Sequence, residues 1–380
     1  MESRAGRKLH PGGMLAVVTC LTALALPVSG SGVSWLANPI LLLGPAAVLF
    51  VSGSLRREGN PPFAGFVAVA VAAVALGGWS VLVLVHRGPA AGDAGAGLWL
   101  FVVALGILAW YAMGMVAALT SRKPLVNRFL ALAVPALFGI WLVFLWEILV
   151  VGFGVPRVLL PAPSAIAEVF AASLGTLGAD FHQTFVRAVI PGYLMGNCFG
   201  FLTALLADRV PFLRRGLLPV GNLVSAIPIV GIAPIMVMWF GFDWQSKAAV
   251  VVIMTFFPML VNTIAGLSES GAMERDLMRS YAATYGQELF RLRLPGALPF
   301  VFNALKINST LALIGAIVAE FFGTPIVGMG FRISTEVGRM NIDMVWATIA
   351  VAALAGSLFY GSLALLERVL TFWHPSYRGR

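Results

Sequence analysis

Apolar residues in this chain come in long runs, and the polar residues fall in the gaps between them. Ten runs approach the roughly 20 residues that a helix needs to cross the hydrocarbon core of a bilayer. They are 12–28, 36–54, 63–85, 97–119, 129–152, 184–207, 217–240, 247–267, 299–322 and 346–370, and each predicts a spanning helix. The first is short, and Gly44 and Pro45 interrupt the second. Arg4, Arg7 and Lys8 before Met14–Val28 imitate a secretory signal. No small-x-small cleavage site with a soluble domain follows, and another apolar run begins almost at once, so this run is read as a retained first helix.

The gaps predict an orientation. Ten spans put both ends of the chain on one side, and eighteen of the 25 Lys and Arg fall on that side. They include Arg56 and Arg57, Arg122 and Lys123, Arg214 and Arg215, and Arg275, Arg279, Arg291 and Arg293. Basic residues are retained in the cytoplasm, so both termini are expected inside. Residues 153–183 and 323–345 are then the main outside connections. In the first, Ser164 is expected to cap a short amphipathic helix lying at the outer interface. The second, with Gly323, Gly328, Gly330, Arg332, Glu336 and Arg339, reads as a polar surface.

Composition sharpens the class. The 380 residues are 59% hydrophobic and 11% charged, where soluble domains run nearer half apolar and a quarter charged. The formal charge of +9 lies in short scattered gaps, with no basic face or motif for nucleic acid. Cys20 and Cys198 both sit in apolar runs, which excludes a disulfide scaffold and a cysteine metal cluster. His10, His86, His182 and His374 show no metal-ligand spacing, and no phosphate loop of the G-x-x-x-x-G-K-[ST] kind occurs. No catalytic residue, metal site or cofactor is therefore expected on this chain. The chain divides into 1–125, with four bland spans, and 126–380, with six spans and nearly all the polar residues at membrane depth.

Ionisable groups inside spans need a partner or a wet cavity. Lys306 and Glu320 share one predicted helix but lie about 21 Å apart along it, too far to pair. Lys306 is expected to snorkel to the boundary, and Glu320 to pack or cap near the glycine-bearing connection. Glu147 is expected to brace the bundle. Asn222, Ser225, Pro228, Asn262, Lys306, Asn308 and Glu320 are the candidate pathway or gating residues. Polar groups of this kind bind helices together or line a route, and prolines such as Pro228, Pro234 and Pro258 bend or open helices.

The inside connection 268–298 is the longest, and it is patterned. Leu277, Met278, Tyr281 and Ala282 recur at helical spacing, Thr284 and Gly286 turn the chain, and Gln287–Leu294 predicts a second short helix stopped before Pro295 and Pro299. Spacing alone leaves two readings open, a knob for a cytoplasmic partner and an ordinary interfacial elbow.

This segment resembles the coupling-helix loop of permease subunits of ABC importers, in particular the nitrate, sulfonate and taurine branch. Anchored on Leu294-Pro295, the family's first glutamate falls at Asp276, its alanines at Leu277 and Met278, its glycine at Ala282, and the following small residues at Ala283 and Thr284. Further matches follow in order: Leu160-Pro-Ala-Pro-Ser164, Ser225-Ala-Ile-Pro228, Trp239-Phe-Gly241, Ala304-Leu-Lys-Ile307, Gly315-Ala-Ile-Val-Ala-Glu320 and Trp373-His-Pro-Ser376. The likeness covers about 130–376 and leaves 1–125 outside it. It implies an all-α polytopic fold, a six-helix type I importer core with about four helices before it, in the bacterial cytoplasmic membrane. It also implies that Asp276, Leu277, Met278, Arg279, Tyr281, Ala282, Ala283 and Thr284 couple to a cytoplasmic ATPase dimer that holds ATP and Mg. A second permease copy and an extracytoplasmic solute-binding protein complete the implied assembly. Phe300-Val-Phe-Asn-Ala-Leu-Lys-Ile is nearest to subfamilies importing riboflavin or pyrimidine precursors of thiamine, with sulfonate, taurine or nitrate open. The other classes in view are an ion-gradient transporter and a non-catalytic membrane assembly subunit.

Overall fold

The structure is a computed structural model that describes residues 11–35, 42–54, 64–225, 227–323 and 326–373. Among these residues the regular structure is helical, apart from an isolated bridge between Ser29 and Ala94. Seven helices are long and apolar enough to cross a membrane: Gly65–His86, Ala96–Ala118, Pro124–Gly152, Leu174–Arg209, Trp244–Ser268, Tyr285–Glu320 and Ile342–Leu370.

Three of the ten expected spans come out differently. The first two are the shorter helices α1 (Pro11–Ala25) and α2 (Leu43–Ser54), and residues 36–41 of the second lie outside the described ones. The third, 217–240, is split. Helix α9 (Pro211–Ser225) stops, and α10 (Ile229–Phe240) starts after Pro228, whose φ of −62° and ψ of 126° leave it extended. Proline has no N–H for the helical ladder and drives the residue before it out of the helical region, so the run breaks there.

Cα compactness separates two units, Met1–Ala165 and Ile166–Arg380. In the first, α1 and α2 pack with α3 (Ala64–His86) and α4 (Ala96–Ala118) around Cys20, Val48, Leu84, Phe101 and Leu105. Helix α5 (Pro124–Gly152) belongs with them: Trp99 stacks on Phe153 at 4.3 Å, and the Ala94 N–H donates to Gly152 O. The last turns of α5 thus pack on α3 and α4.

The second unit is built on α11 (Trp244–Ser268), which lies between α8 (Ile190–Arg209) and α14 (Leu294–Glu320). Gly192, Gly196 and Gly200 recur every four residues and face α11; a Cβ on Gly192 would stand 2.7 Å from Ala248 O, and on Gly196 it would collide with Thr255. Lipid gives apolar helices little reason to associate, and small residues that let backbones approach supply it.

Both long helices of this unit pass through prolines without stopping. Helix α7 (Leu174–Phe181) runs into a π turn at His182–Val189 and then into α8, with Pro191 at its start. Helix α13 (Tyr285–Glu288) likewise runs through a π turn at Leu289–Arg293 into α14, with Pro295 at its start and Pro299 inside. The expected stop before Pro295 is therefore absent, and residues 174–183, read from the sequence as connection, are helical. A widened turn accommodates a residue that lacks an N–H and whose ring crowds the preceding carbonyl.

Helix α6 (Pro163–Ala172) lies where a short helix was expected, but Ser164 is not its cap. The Ser164 N–H and Oγ both donate to the Glu147 carboxylate, at 2.8 and 2.6 Å, so Glu147 satisfies the free N–H of the first turn. The connection 323–345 contains α15 (Met329–Gly338) before α16 (Ile342–Leu370).

Candidate functional site

The patterned connection folds into α12 (Ala272–Ser280), a turn, and α13. None of α12's residues is buried. Leu277 is 58% exposed and Tyr281 79%, and Met273, one turn before Leu277, is 83% exposed and extends the apolar face. Sequence reading missed Met273, though its i, i+4 spacing from Leu277 marks it. Met278 is half-buried. The Asp276–Arg279 pair, at 3.3 Å, is open to solvent and holds little energy.

The end of α12 is a defined turn. The Ala282 N–H donates to Arg279 O and the Ala283 N–H to Met278 O, closing a Schellman motif with Ala282 at φ 52°. That conformation suits glycine, and here alanine takes it at a cost of about 1 kcal/mol. Thr284 then opens α13 with a capping box: its Oγ1 accepts the Gln287 N–H, and Gln287 Oε1 accepts the Thr284 N–H.

A buried charge clamp fastens this segment to the helices. Arg293, in the second π turn, donates twice to Asp208 at the end of α8, at 2.8 and 2.6 Å, and its Nε donates to Leu267 O. The Tyr285 hydroxyl donates to the same carboxylate at 2.9 Å, and the Arg209 guanidinium lies 4.3 Å from the Tyr285 ring. Breaking a buried pair of this kind costs about 3–5 kcal/mol, because one charge is left without a partner. Asp208 was invisible as a site in the sequence, where it reads as one acid in a basic gap. Its signal was its place at the end of an apolar span, where a carboxylate needs a partner.

The same two long helices are joined along their length. The Tyr193 hydroxyl donates to Leu305 O at 3.0 Å. The buried Asn308 Nδ2 donates to Asn197 Oδ1 and to Thr255 O at 2.6 and 2.7 Å. At the far end the Thr184 hydroxyl, in the first π turn, donates to Glu320 Oε1 at 2.8 Å. Glu320 Oε2 accepts the Gly330 N–H, Thr184 Oγ1 accepts the Met329 N–H, and Asp180 accepts the Gly328 N–H. Three N–H groups at the start of α15 are thus held by three side chains of the two long helices. Arg332 pairs with Asp180 at 2.8 Å, and that carboxylate holds its guanidinium above the ordinary range. Each π turn is therefore bonded to the opposite end of the other helix.

The candidate pathway residues divide accordingly. Lys306 does not snorkel; its ammonium lies 2.7 Å from Glu367 in α16, a partner that sequence reading passed over. Asn308 and Glu320 are buried in the interhelical bonds just described. Asn262 is half-buried; its Nδ2 donates to Pro258 O, and its Oδ1 lies 3.4 Å from Asn303 Nδ2. Pro228 caps α10. The side chains of Asn222 and Ser225 lie outside the described residues. An exposed stripe on α14, Asn303, Ile307, Thr310 and Ile314, continues from Asn262 and carries no charge.

Residues 196–371 match the family described as binding-protein-dependent transport system inner membrane component. The formylaminopyrimidine transport permease protein of Halalkalibacterium halodurans is 33% identical over 240 residues, covering 63% of this chain and 95% of that protein. The riboflavin transport system permease protein of Chloroflexus aurantiacus is 30% identical over 248 residues, 65% of this chain and 91% of that protein. A putative aliphatic sulfonates transport permease protein of Bacillus subtilis is 28% identical over 241 residues, 63% of this chain and 86% of that protein.

Proposed function

The chain belongs to the family of binding-protein-dependent transport system inner membrane components, and from that premise we propose how it works as a permease. It is a multi-pass membrane subunit of an ABC transporter for a small organic solute, and it is not an enzyme. We propose that α12 and the turn after it, Asp276 to Thr284 together with Met273, seat in a groove of a separate cytoplasmic ATPase dimer, where ATP and Mg act. A second, identical permease completes the pathway, and an extracytoplasmic protein delivers the solute. We assign the transport core to residues 126–380 and leave 1–125 outside it. Both termini are cytoplasmic, on the grounds of the basic bias.

One observation carries this reading: an exposed apolar turn is fastened by a buried charge clamp to both long helices. The clamp stops the turn from sliding when the partner moves. The helix Tyr285–Glu320 spans about 54 Å at 1.5 Å per residue. A displacement at Tyr285 is therefore delivered at Glu320, where the start of α15 is held. Asn222, Ser225 and Pro228, at the break between α9 and α10, and Asn262 with the α14 stripe border the pathway. Lys306, Asn308 and Glu320 act by holding its walls together.

The stripe supports a substrate class. It offers amides and a hydroxyl without a charge, and Lys306 is already paired. Sulfonate anions call for a cationic or charge-assisted donor. A neutral nitrogen-ring solute of the pyrimidine or flavin kind suits the stripe better.

The test is ATP-driven uptake by the complex reconstituted in liposomes, across pyrimidine precursors, riboflavin and sulfonates. The double variant Leu277→Asp with Tyr281→Asp puts charge into the docking contact. It should insert normally, lose ATPase on copurification and lose uptake. Normal ATPase recovery with normal uptake would refute the docking assignment, and uptake that needs no ATPase would favour a gradient-driven transporter. Orientation is checked with a Cys198→Ser background carrying Ser280→Cys or Ser334→Cys, both exposed positions. Position 280 should label only from the cytoplasmic side and position 334 only from the other.

A further inference from the structure

We propose that the permease carries a solute-receiving site of its own, a polar pocket between the first π turn and the start of α11, which takes a planar nitrogen ring by an edge that presents a hydrogen-bond donor beside an acceptor. The proposal rests on the importer reading above and narrows its solute class.

The pocket encloses about 660 Å³, within the roughly 300–1,000 Å³ of small-molecule sites. Three segments of the second unit form it: Gln183 and Arg187 in the π turn His182–Val189, Phe242 and Asp243 just before α11, and Val327 just before α15. The long helix that passes through this π turn ends at Asp208 and Arg209, where Asp208 fastens the exposed turn. Pocket and exposed turn therefore lie at opposite ends of one helix, and with the turn in the cytoplasm the pocket belongs to the other side. A π turn changes which side chains share a face, and such turns recur at functional sites.

Arg187, Gln183 and Asp243 form a row of cation, amide and acid. Gln183, 8% exposed, donates from Nε2 to Asp243 Oδ1 at 3.2 Å, and its Oε1 lies 3.5 Å from Arg187 Nη1. Asp243 Oδ1 also accepts the Trp244 N–H at 2.8 Å, while among the described residues its Oδ2 accepts no hydrogen bond. Among the same residues no carboxylate pairs with Arg187, whereas Arg293, Lys306 and Arg332 are each paired. The row thus leaves guanidinium donors at one end and a carboxylate acceptor at the other. The acceptor end is set in advance: the ammonium of the buried Lys247 donates to Phe242 O and Asp243 O, and Ser246 Oγ donates to Asp243 O at 3.0 Å. Such preorganisation lowers the ordering cost of binding.

A ring edge with an N–H beside a ring nitrogen or carbonyl answers both ends, its N–H toward Asp243 and its acceptor toward Arg187. Phe242, half of whose side chain or more stands free, offers an aromatic face to the ring. A simple sulfonate would satisfy Arg187 but bring a second negative charge to Asp243, which discriminates against it.

The test uses the complete complex in nanodiscs, with cytosine and riboflavin as probes and calorimetry as the readout. Both should bind. Cytosine without its amino group, Asp243→Asn and Arg187→Leu should each weaken cytosine binding about tenfold or more, the scale of a hydrogen bond to a charged group. Asparagine keeps the cap on Trp244, so the fold is expected to survive that change. Site protection gives a second measurement that needs no change in the row. Ala179→Cys, at an exposed lining residue, is labelled in the Cys198→Ser background, and cytosine should slow the labelling. Unslowed labelling, or equal affinity in Asp243→Asn, Arg187→Leu and the unmodified complex, would overturn the site. Binding of taurine in place of both rings would overturn the assigned chemistry. ATPase-dependent uptake without binding at the pocket would overturn this proposal alone, and ring binding together with uptake that needs no ATPase would overturn the importer reading alone.

Discussion

The helices up to Ala165 and those after it are held by different forces. In the first group the interior is apolar almost throughout, from Cys20 and Val48 to Leu84 and Phe101, and Glu147 is its one buried acidic or basic side chain among the described residues. In the second, Asp180, Thr184, Asn197, Lys247, Arg293, Asn308, Glu320 and Glu367 are all buried and all bonded, several of them between helices. Apolar contacts in lipid are non-directional and tolerate small shifts. Charged and amide bonds have discrete partners, so a helix pair held by them rests in one arrangement or another. Elements with two defined arrangements are what a transport cycle needs. The comparison points to discrete rearrangement within 166–380 and to a more tolerant packing among the earlier helices.

Five variants break or sharpen that comparison. The largest effect is expected from Asp208→Ala, which strands Arg293 and should destabilise the second group by about 3–5 kcal/mol, read as a fall in the thermal midpoint of the purified permease. Asp208→Leu with Arg293→Met should recover most of that stability and still fail to couple ATP hydrolysis to uptake, since apolar substitutes hold helices without the bidentate clamp. Full coupling in that double variant would show that the charge itself is dispensable.

Next comes Gly196→Val, which drives a side chain into Thr255 and the α11 backbone and should cost about 1–3 kcal/mol by the same measurement. Its counterpart Gly114→Ala, on α4 with open space around it, should be neutral or mildly stabilising. Equal effects would erase the contrast between close-packed and loosely packed helices.

The smallest effect is expected at the turn after α12. Ala282→Gly relieves the left-handed conformation and should slow hydrogen exchange in the last turn of α12 by about fivefold, or about 1 kcal/mol. Faster exchange would mean that added chain freedom outweighs the relief.

Much of the local structure around the exposed turn was legible in pattern. The turn after α12 announces itself because exposed short helices must satisfy their own ends: Thr284 with Gln287 is a capping box readable from spacing, and Leu277 with Tyr281 marks a face. Glu147 was legible as a brace, but its partners were not, because Ser164 and His86, whose Nε2 stands 2.8 Å from Glu147 Oε1, are distant in sequence. Lys306 looked like a boundary anchor because Glu367 lies a whole helix away. The glycine series 192, 196 and 200 was in plain view and went unread. It signals close helix contact without saying which helix comes close.

By itself the sequence determined the membrane class, the helices, the patterned inside connection and the absence of a phosphate loop. These depend on residue type and near spacing, which hydropathy and capping rules read directly. Only the tertiary structure decided which charge meets which, that Pro191 and Pro295 are carried by π turns, and that Pro228 divides a run into two helices. A proline's effect depends on whether neighbouring helices can satisfy the backbone groups it frees. A buried charge depends on a partner that the fold alone brings within 3 Å, as it does for Arg293 with Asp208 and for Lys306 with Glu367.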